Sequence, residues 1–291
     1  MNIVLFQREE MEKPLPLKDD RAKHILKVLH KQTGDTFEAG IINGKAGQAE
    51  ITAITDEGIS FHFLPLTDGK PLYPITLIIG FPRPIQLKRL FRDAAGLGAS
   101  RLCLCGTELG EKSYMDSNIV ERGAAYAALL DGTAQAKSTH VPELSLFPSV
   151  KACLSALFPD TNVSGSSAAP FAQNDAQIPP NEKINDIRVM LDNVKPESSL
   201  FSYMKQCTAE DPNIIENNDT SKTATISNKI ASDKERMVYA AIGSERGWTD
   251  RERALFAENG FASCSMGCRV LRTETAATVA MSLILQSLGV L

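Results

Sequence analysis

A chain of 291 residues with 43% hydrophobic and 23% charged side chains has the make-up of an ordinary globular protein of one large or two modest domains. No charged-then-apolar leader opens at Met1 and no apolar run reaches membrane-span length, so the expectation is a cytoplasmic protein with no membrane partner. The net charge of −4 argues only weakly against nucleic acid: residues 159–235 hold 12 acidic and 7 basic groups, whereas residues 71–158 hold 9 basic and 7 acidic. Phosphate binding needs a local basic surface, not a basic whole.

Residues 1–70 read as a small β-rich domain. Ile3 to Phe6, Phe37 to Ile42, Gln48 to Thr55 and Ile59 to Leu64 are short β-prone runs, separated by turn signals at Asn43-Gly44, Gly47 and Asp56-Glu57-Gly58. A helix, Asp20 to Lys31, interrupts them with Ile25, Leu26, Val28 and Leu29 as its apolar face. Thr67 to Pro74 is the joint, and residues 73–291 form the second domain.

That second domain alternates strand and helix. Strands are expected at Ile75–Ile79, Leu102–Leu104, Val141–Leu144, Ile187–Leu191, Val238–Ile242 and Phe261–Met266. Helices are expected at Gln86–Leu97, Ser117–Leu130, Ser149–Leu157, from Thr249 to Gly260, and Thr273–Leu288. Thr249 and Glu252 have the spacing of a capping box. Near-continuous apolar strands between helices predict a mostly parallel sheet with helices on both faces. The last helix is apolar on nearly all sides and needs burial, in the core or at a subunit interface. Stretches near 159–186 and 205–234 are rich in Ser, Asn, Asp, Thr and Pro and read as polar surface insertions.

Six cysteines, Cys103, Cys105, Cys153, Cys207, Cys264 and Cys268, carry no Cys-x2-Cys pair and no histidine cluster. Reduced, buried thiols are expected, with no metal site. No dinucleotide fingerprint, Walker motif or nucleophile elbow is present.

Two glycine-bearing loops follow two strand ends within forty residues, Gly243–Gly247 and the loop opened by Gly267. Ligands of open α/β sheets bind outside the carboxyl ends of strands. The second loop, M-G-C-R-V-L-R-T-E-T-A-A from Met266 to Ala277, resembles the C-terminal signature of the bacterial 16S ribosomal RNA uridine-N3 methyltransferases of the SPOUT superfamily, roughly L-G-x-R-I-L-R-x-E-T-A. Gly267, Arg269, Leu271, Arg272, Glu274, Thr275 and Ala276 match. The family's I-G-P-E-G-G-[FW] is met by Ile242, Gly243, Glu245, Gly247 and Trp248, with Ser244 for the proline and Arg246 for a glycine. The N-terminal string R-A-K-H-I-L-K-V-L-H is similar to the family's R-x-H-H-L-x-R-V-L-R. In the middle segment Leu109 stands for an arginine, Ala134 for a glutamate and Ser138 for an arginine.

The resemblance implies a trefoil-knotted α/β domain behind an N-terminal PUA-like β-barrel, working as a homodimer on ribosomal RNA, with S-adenosyl-L-methionine as cofactor. It places the cofactor against Leu191, Ile242, Gly243, Glu245, Gly247, Met266, Gly267, Val270, Leu271, Thr273, Thr275 and Ala276. It makes Arg269, Arg272 and Glu274 the catalytic candidates: the arginines for charge developing on the base or for a flanking phosphate, and Glu274 for the N3 proton. Arg21, Lys23, His24, Lys27, Arg83, Lys88 and Arg89 are candidates for RNA phosphates; the plain alternative for helix cations is a solvated face. Two other outcomes stay open: an inactive RNA-binding paralogue, and an enzyme of this fold acting on another RNA or on a ribose hydroxyl.

Overall fold

The protein, seen in a computed structural model, is described over residues 2–115, 122–159, 186–209 and 236–291. Its contacts gather into two compact units, Met1–Leu72 with Phe91–Gly98 and Arg122–Pro142, and Tyr73–Leu90 with Ala99–Glu121 and Glu143–Leu291.

In the first unit β1 (Val4–Phe6), β2 (Thr36–Ile41), β3 (Ala46–Thr55) and β4 (Gly58–Thr67) lie side by side in that order. β1 runs parallel to β2; the other pairs are antiparallel. Along the first six residues of β3 every second residue is buried, the period of two that gives a sheet one wet and one dry face. The sheet curls on itself, since Phe6 of β1 and Phe61 of β4 meet ring to ring at 4.8 Å. Phe6, Phe37, Ile25, Ile51, Ile59 and Leu15 fill the space between. Gly58, at φ +151°, has to be glycine: a Cβ there would stand 2.4 Å from the carbonyl oxygen of Leu15, whose backbone pairs with Ile59.

The N-terminal helix is shorter than its periodicity suggests. Asp19 caps it, accepting from the Arg21 N–H at 2.8 Å, and α1 (Asp20–Lys23) passes into a π-turn over His24–Val28. It stops at His30, whose φ of +52° turns the chain while Lys31 N–H donates to the Ile25 carbonyl. The same unit holds the C-terminal part of α2 (Pro84–Gly96) and α3 (Arg122–Gln135). Gly132 lets α3 lie against the Arg92 backbone, where a Cβ would approach its carbonyl to 2.2 Å. The helix expected over Ser117–Leu130 runs on to Gln135; residues 116–121 lie outside the described residues.

The second unit is built on a seven-stranded sheet in the order β7 (Glu143–Phe147), β6 (Ala99–Cys105), β5 (Tyr73–Gly80), β10 (Val238–Ile242), β8 (Ile187–Leu191), β11 (Ala262–Ser265), β9 (Ser198–Ser199). All its ladders are parallel. β5, β8 and β10 are buried along most of their length, as strands of a parallel sheet covered on both faces must be. Among its described residues the unit also carries the helices α4 (Val150–Leu157), α5 (Leu200–Ala209), α6 (Asp250–Glu258) and α7 (Thr273–Ser287). Trp248, Phe256 and Phe261 stack edge to face beside Cys103, Cys105 and Cys153. All six cysteines are free thiols, and no metal-binding cluster occurs among the described residues. Mutual hydrogen bonding and burial push the Cys103 thiol well above its ordinary range.

A polar insertion is expected from residue 205, but α5 runs through Ala209 and packs on α7. Leu200 and Met204 of α5 are both fully buried. The remainder of that stretch, and nearly all of the insertion near 159–186, lie outside the described residues. α7 buries Ala276, Ala277, Ala280, Met281, Ile284 and Leu285. Val279 and Leu283 stay half-buried in the single chain.

Candidate active site

β10 and β11 both pair with β8 in parallel, so the loops leaving their carboxyl ends emerge at the same end of the sheet. The first loop is a tight turn. Gly247 N–H donates to the Ser244 carbonyl at 2.9 Å, and Gly247 takes φ +71°. Arg246 is not among the residues at positive φ, so a side chain there is unstrained. Ser244, where the family pattern has proline, is buried and accepts a hydrogen bond from the Thr107 hydroxyl at 3.1 Å. Gly80, ending β5, comes so close that a Cβ would meet the Ser244 nitrogen at 2.5 Å.

The segment after the turn is tied down as firmly. Trp248 is 2% exposed and its indole N–H donates to the Leu191 carbonyl at 3.1 Å. The Thr249–Glu252 capping box is present as expected. Glu252, buried to 2%, does more than cap: its second oxygen accepts the Glu108 N–H at 2.9 Å, clamping the loop after β6. Thr249 in turn donates its hydroxyl to Glu108 at 2.7 Å.

Just past Leu191, Asp192 is buried and receives Arg253 Nε at 2.7 Å and Nη2 at 3.2 Å, with the Val194 and Lys195 N–H groups at 3.2 Å. Burial pushes its carboxyl up. The Arg253 guanidinium and the two backbone donors more than offset that and hold it below the ordinary carboxylate range. Sequence reasoning passed over Asp192, Arg253 and Glu108, since their partners lie 61 and 144 residues away.

The second loop joins the first through Thr273, which donates its hydroxyl to the Gly243 carbonyl at 3.2 Å. Thr273 and Glu274 are each 3% exposed in the first turn of α7, and Glu274 Oε2 has no hydrogen-bond partner among the described residues. A carboxylate is favoured at a helix N-terminus by the aligned peptide dipoles. Arg269 and Arg272 are exposed and make no ion pair among the described residues. Gly267 takes φ +111° with open space where a Cβ would lie.

The expected cofactor residues therefore separate. Leu191, Ile242, Gly243, Gly247, Gly267, Thr273, Thr275 and Ala276 sit at these strand ends, on the two loops and at the start of α7, with Met266 and Leu271 half-buried beside them. Val270 is 81% exposed in the single chain, so it lines no enclosed wall there. Glu245 is engaged: its carboxylate accepts the Arg83 backbone N–H at 2.9 Å, and the Arg83 Nε lies 4.0 Å away. Arg83, expected at RNA, is thus partly a brace for the turn.

The other expected RNA cations separate likewise. The Arg21 fork is engaged within its own unit. Nη1 donates to the Leu5 carbonyl and Glu10 at 2.9 Å, Nη2 to Glu10 at 2.6 Å and Asp19 at 2.8 Å, and Nε to Asp19 at 3.1 Å. The Arg21 hydrogen bonds hold both carboxyls below their ordinary range. Lys23 pairs with Asp20 at 2.7 Å on an exposed face, an interaction worth little. His24 is half-buried; Lys27, Lys88 and Arg89 are exposed. Two of the departures from the family pattern are absorbed by packing. Ala134 is buried with Ile3 and Leu5, and the Ser138 hydroxyl donates to the Lys70 carbonyl at 3.2 Å.

Comparison with known proteins agrees with this geometry. Residues 68–177 and 187–285 match the model of the RNA methyltransferase domain, and residues 17–64 that of the RNA methyltransferase PUA domain. The chain is 35% identical over 289 residues to Ribosomal RNA small subunit methyltransferase E of Treponema pallidum, covering 98% of this chain and 91% of that one. It is 27% identical to Ribosomal RNA small subunit methyltransferase E 1 of Borreliella burgdorferi, covering 99% and 98%. In fold it is similar to a Ribosomal RNA small subunit methyltransferase E from Neisseria gonorrhoeae, solved bound to S-adenosyl methionine (TM-score 0.63, 16% identity, covering 98% and 97%). The parallel sheet, the PUA-type unit and the matched loops together place the chain in the RNA methyltransferase family.

Proposed function

We propose that the protein transfers a methyl group from S-adenosyl-L-methionine to N3 of a uridine in small-subunit ribosomal RNA, as a homodimer. The observation that carries this reading is the second loop: its exposed Arg269 and Arg272, without an ion pair among the described residues, shortly precede in sequence Glu274, a buried carboxylate with one unsatisfied oxygen. The small-subunit ribosomal RNA relatives supply the substrate class.

The residues present suit a cofactor held by backbone. Gly80, Gly243, Gly247 and Gly267 give close approach or unusual dihedrals at the carboxyl ends of the strands, and Leu191 and Ile242 give apolar contact. Gly243, Gly247, Gly267, Leu191, Ile242, Met266 and Leu271 would hold it in the knotted arrangement that the family resemblance implies. When bound it supplies an electrophilic methyl group.

The chain's own residues have three tasks. They hold N3 in line with that methyl, where good orientation is worth about 7–11 kcal/mol. They receive the N3 proton, because a neutral imide nitrogen is a poor nucleophile. They stabilise the negative charge left on the ring oxygens as the N–C bond forms. Arg269 and Arg272 suit the third task by charge and exposure. Glu274 suits the second by chemistry, but at 3% exposure it serves only if RNA or a second subunit opens the α7 N-terminus.

Small-subunit RNA from a strain lacking the gene should have lost one N3-methyluridine, restored by the wild-type gene and not by an Arg272→Ala copy. Retention of full N3-methyluridine in the deletion strain refutes the assignment.

A further inference from the structure

The family pattern places a glycine where this chain has Arg246, and the structure shows that the turn does not need one. Arg246 takes an ordinary φ; Gly247 carries the left-handed residue. The side chain is exposed and makes no ion pair among the described residues. The carboxylates nearest to it in sequence are already committed. Glu245 accepts from Arg83. Asp250 pairs with Lys195 at 2.9 Å and Arg253 at 3.1 Å. Glu252 is buried in its capping box, and Glu108 accepts from Thr249 with Arg251 at 3.5 Å.

The neighbouring loop repeats the pattern. Arg269 and Arg272 are exposed and likewise without an ion pair among the described residues, and the Thr273–Gly243 hydrogen bond joins their loop to the turn that carries Arg246. The rim of the site thus presents three guanidinium groups without an internal counter-charge among the described residues, on a chain whose net charge is −4. An exposed arginine of this kind, among others at the mouth of a site, is arranged for an external anion. A planar fork suits the phosphate of a nucleic acid backbone.

We propose that Arg246 contacts a backbone phosphate of the substrate RNA, next to the nucleotide that is methylated, and so is a substrate-positioning residue particular to this chain. The inference rests on the proposed function for the identity of the substrate. Its test reads RNA binding separately from methyl transfer.

The probe is 16S ribosomal RNA purified from a strain lacking the gene, titrated at several salt concentrations with full-length wild-type protein, Arg246→Gly, Arg246→Gln and Arg246→Lys. Loss of one phosphate contact lowers the slope of log affinity against log salt by about one. It weakens binding by up to about fivefold, the worth of one exposed ion pair. Arg246→Gly and Arg246→Gln should show both effects and Arg246→Lys much less, with S-adenosyl-L-methionine affinity by calorimetry unchanged in all three. A wild-type salt slope in Arg246→Gly overturns the proposal. So does an altered cofactor affinity with an unaltered slope, which would place Arg246 at the cofactor. If wild-type protein transfers no methyl group to this RNA yet the slopes differ as expected, the proposed reaction fails and the phosphate contact stands.

Discussion

The two loops of the site are built on opposite principles. From Ser244 to Glu252 the polar groups other than the Arg246 guanidinium are mostly partnered inside the unit: Thr107 on Ser244, Arg83 on Glu245, Leu191 on Trp248, and Glu108 on Thr249 and Glu252. From Met266 to Arg272 the side chains make no hydrogen bond among the described residues, and the loop's one tie is at its end, through Thr273. The first loop is a fixed wall; the second holds its charges in reserve. That contrast explains why the departure at Ser244 is tolerated. The proline's stiffness is replaced by a hydrogen bond from Thr107. It also predicts that damage to the partnered groups of the first loop costs stability and damage in the second costs function.

The largest effect should come from Trp248→Ala. It empties a fully packed aromatic site and orphans the Leu191 carbonyl, costing about 3–5 kcal/mol in urea unfolding. Arg253→Ala follows at about 3 kcal/mol, because it strands a buried carboxylate. Its pH dependence has a definite sign. Asp192 titrates lower in the folded protein than its ordinary value of 3.8, so its contribution is present above that value. It is lost as the pH falls from there through the folded value, and the gap between wild type and Arg253→Ala should narrow in acid. Glu252→Ala removes a cap and leaves the Glu108 N–H without its acceptor, for about 1–3 kcal/mol.

Arg272→Ala reverses the pattern. Its unfolding should stay within about 0.5 kcal/mol of wild type, as for a surface change without partners, while methyl transfer falls away. A second-loop variant that unfolds as easily as Glu252→Ala, or unchanged stability in Trp248→Ala or Glu252→Ala, would break the contrast.

Much of the fold was legible from the residues. The apolar runs at Ile75, Ile187 and Val238 became central strands, and Thr249 with Glu252 became a capping box because both signals are local. The ends of the site were harder. β9 is two residues long, and the end of α5 runs into the stretch from residue 205 whose polar composition reads as an insertion. The fate of the cations was hardest. Arg21 reads like Lys27 in a one-dimensional string, yet it is consumed by Glu10, Asp19 and the Leu5 carbonyl, partners that only folding brings together. Arg83 and Glu245, separated by 162 residues, could not be paired from spacing. A charge is legible as a charge; whether it is spent or free is a property of the fold.

The most direct measurement is to incubate the purified protein with methyl-labelled S-adenosyl-L-methionine and 16S ribosomal RNA from a strain lacking the gene, then map the label by nucleoside mass analysis. The account predicts one labelled N3-methyluridine per RNA. Label on a ribose oxygen or another base, or no label while the cofactor binds saturably, would contradict it.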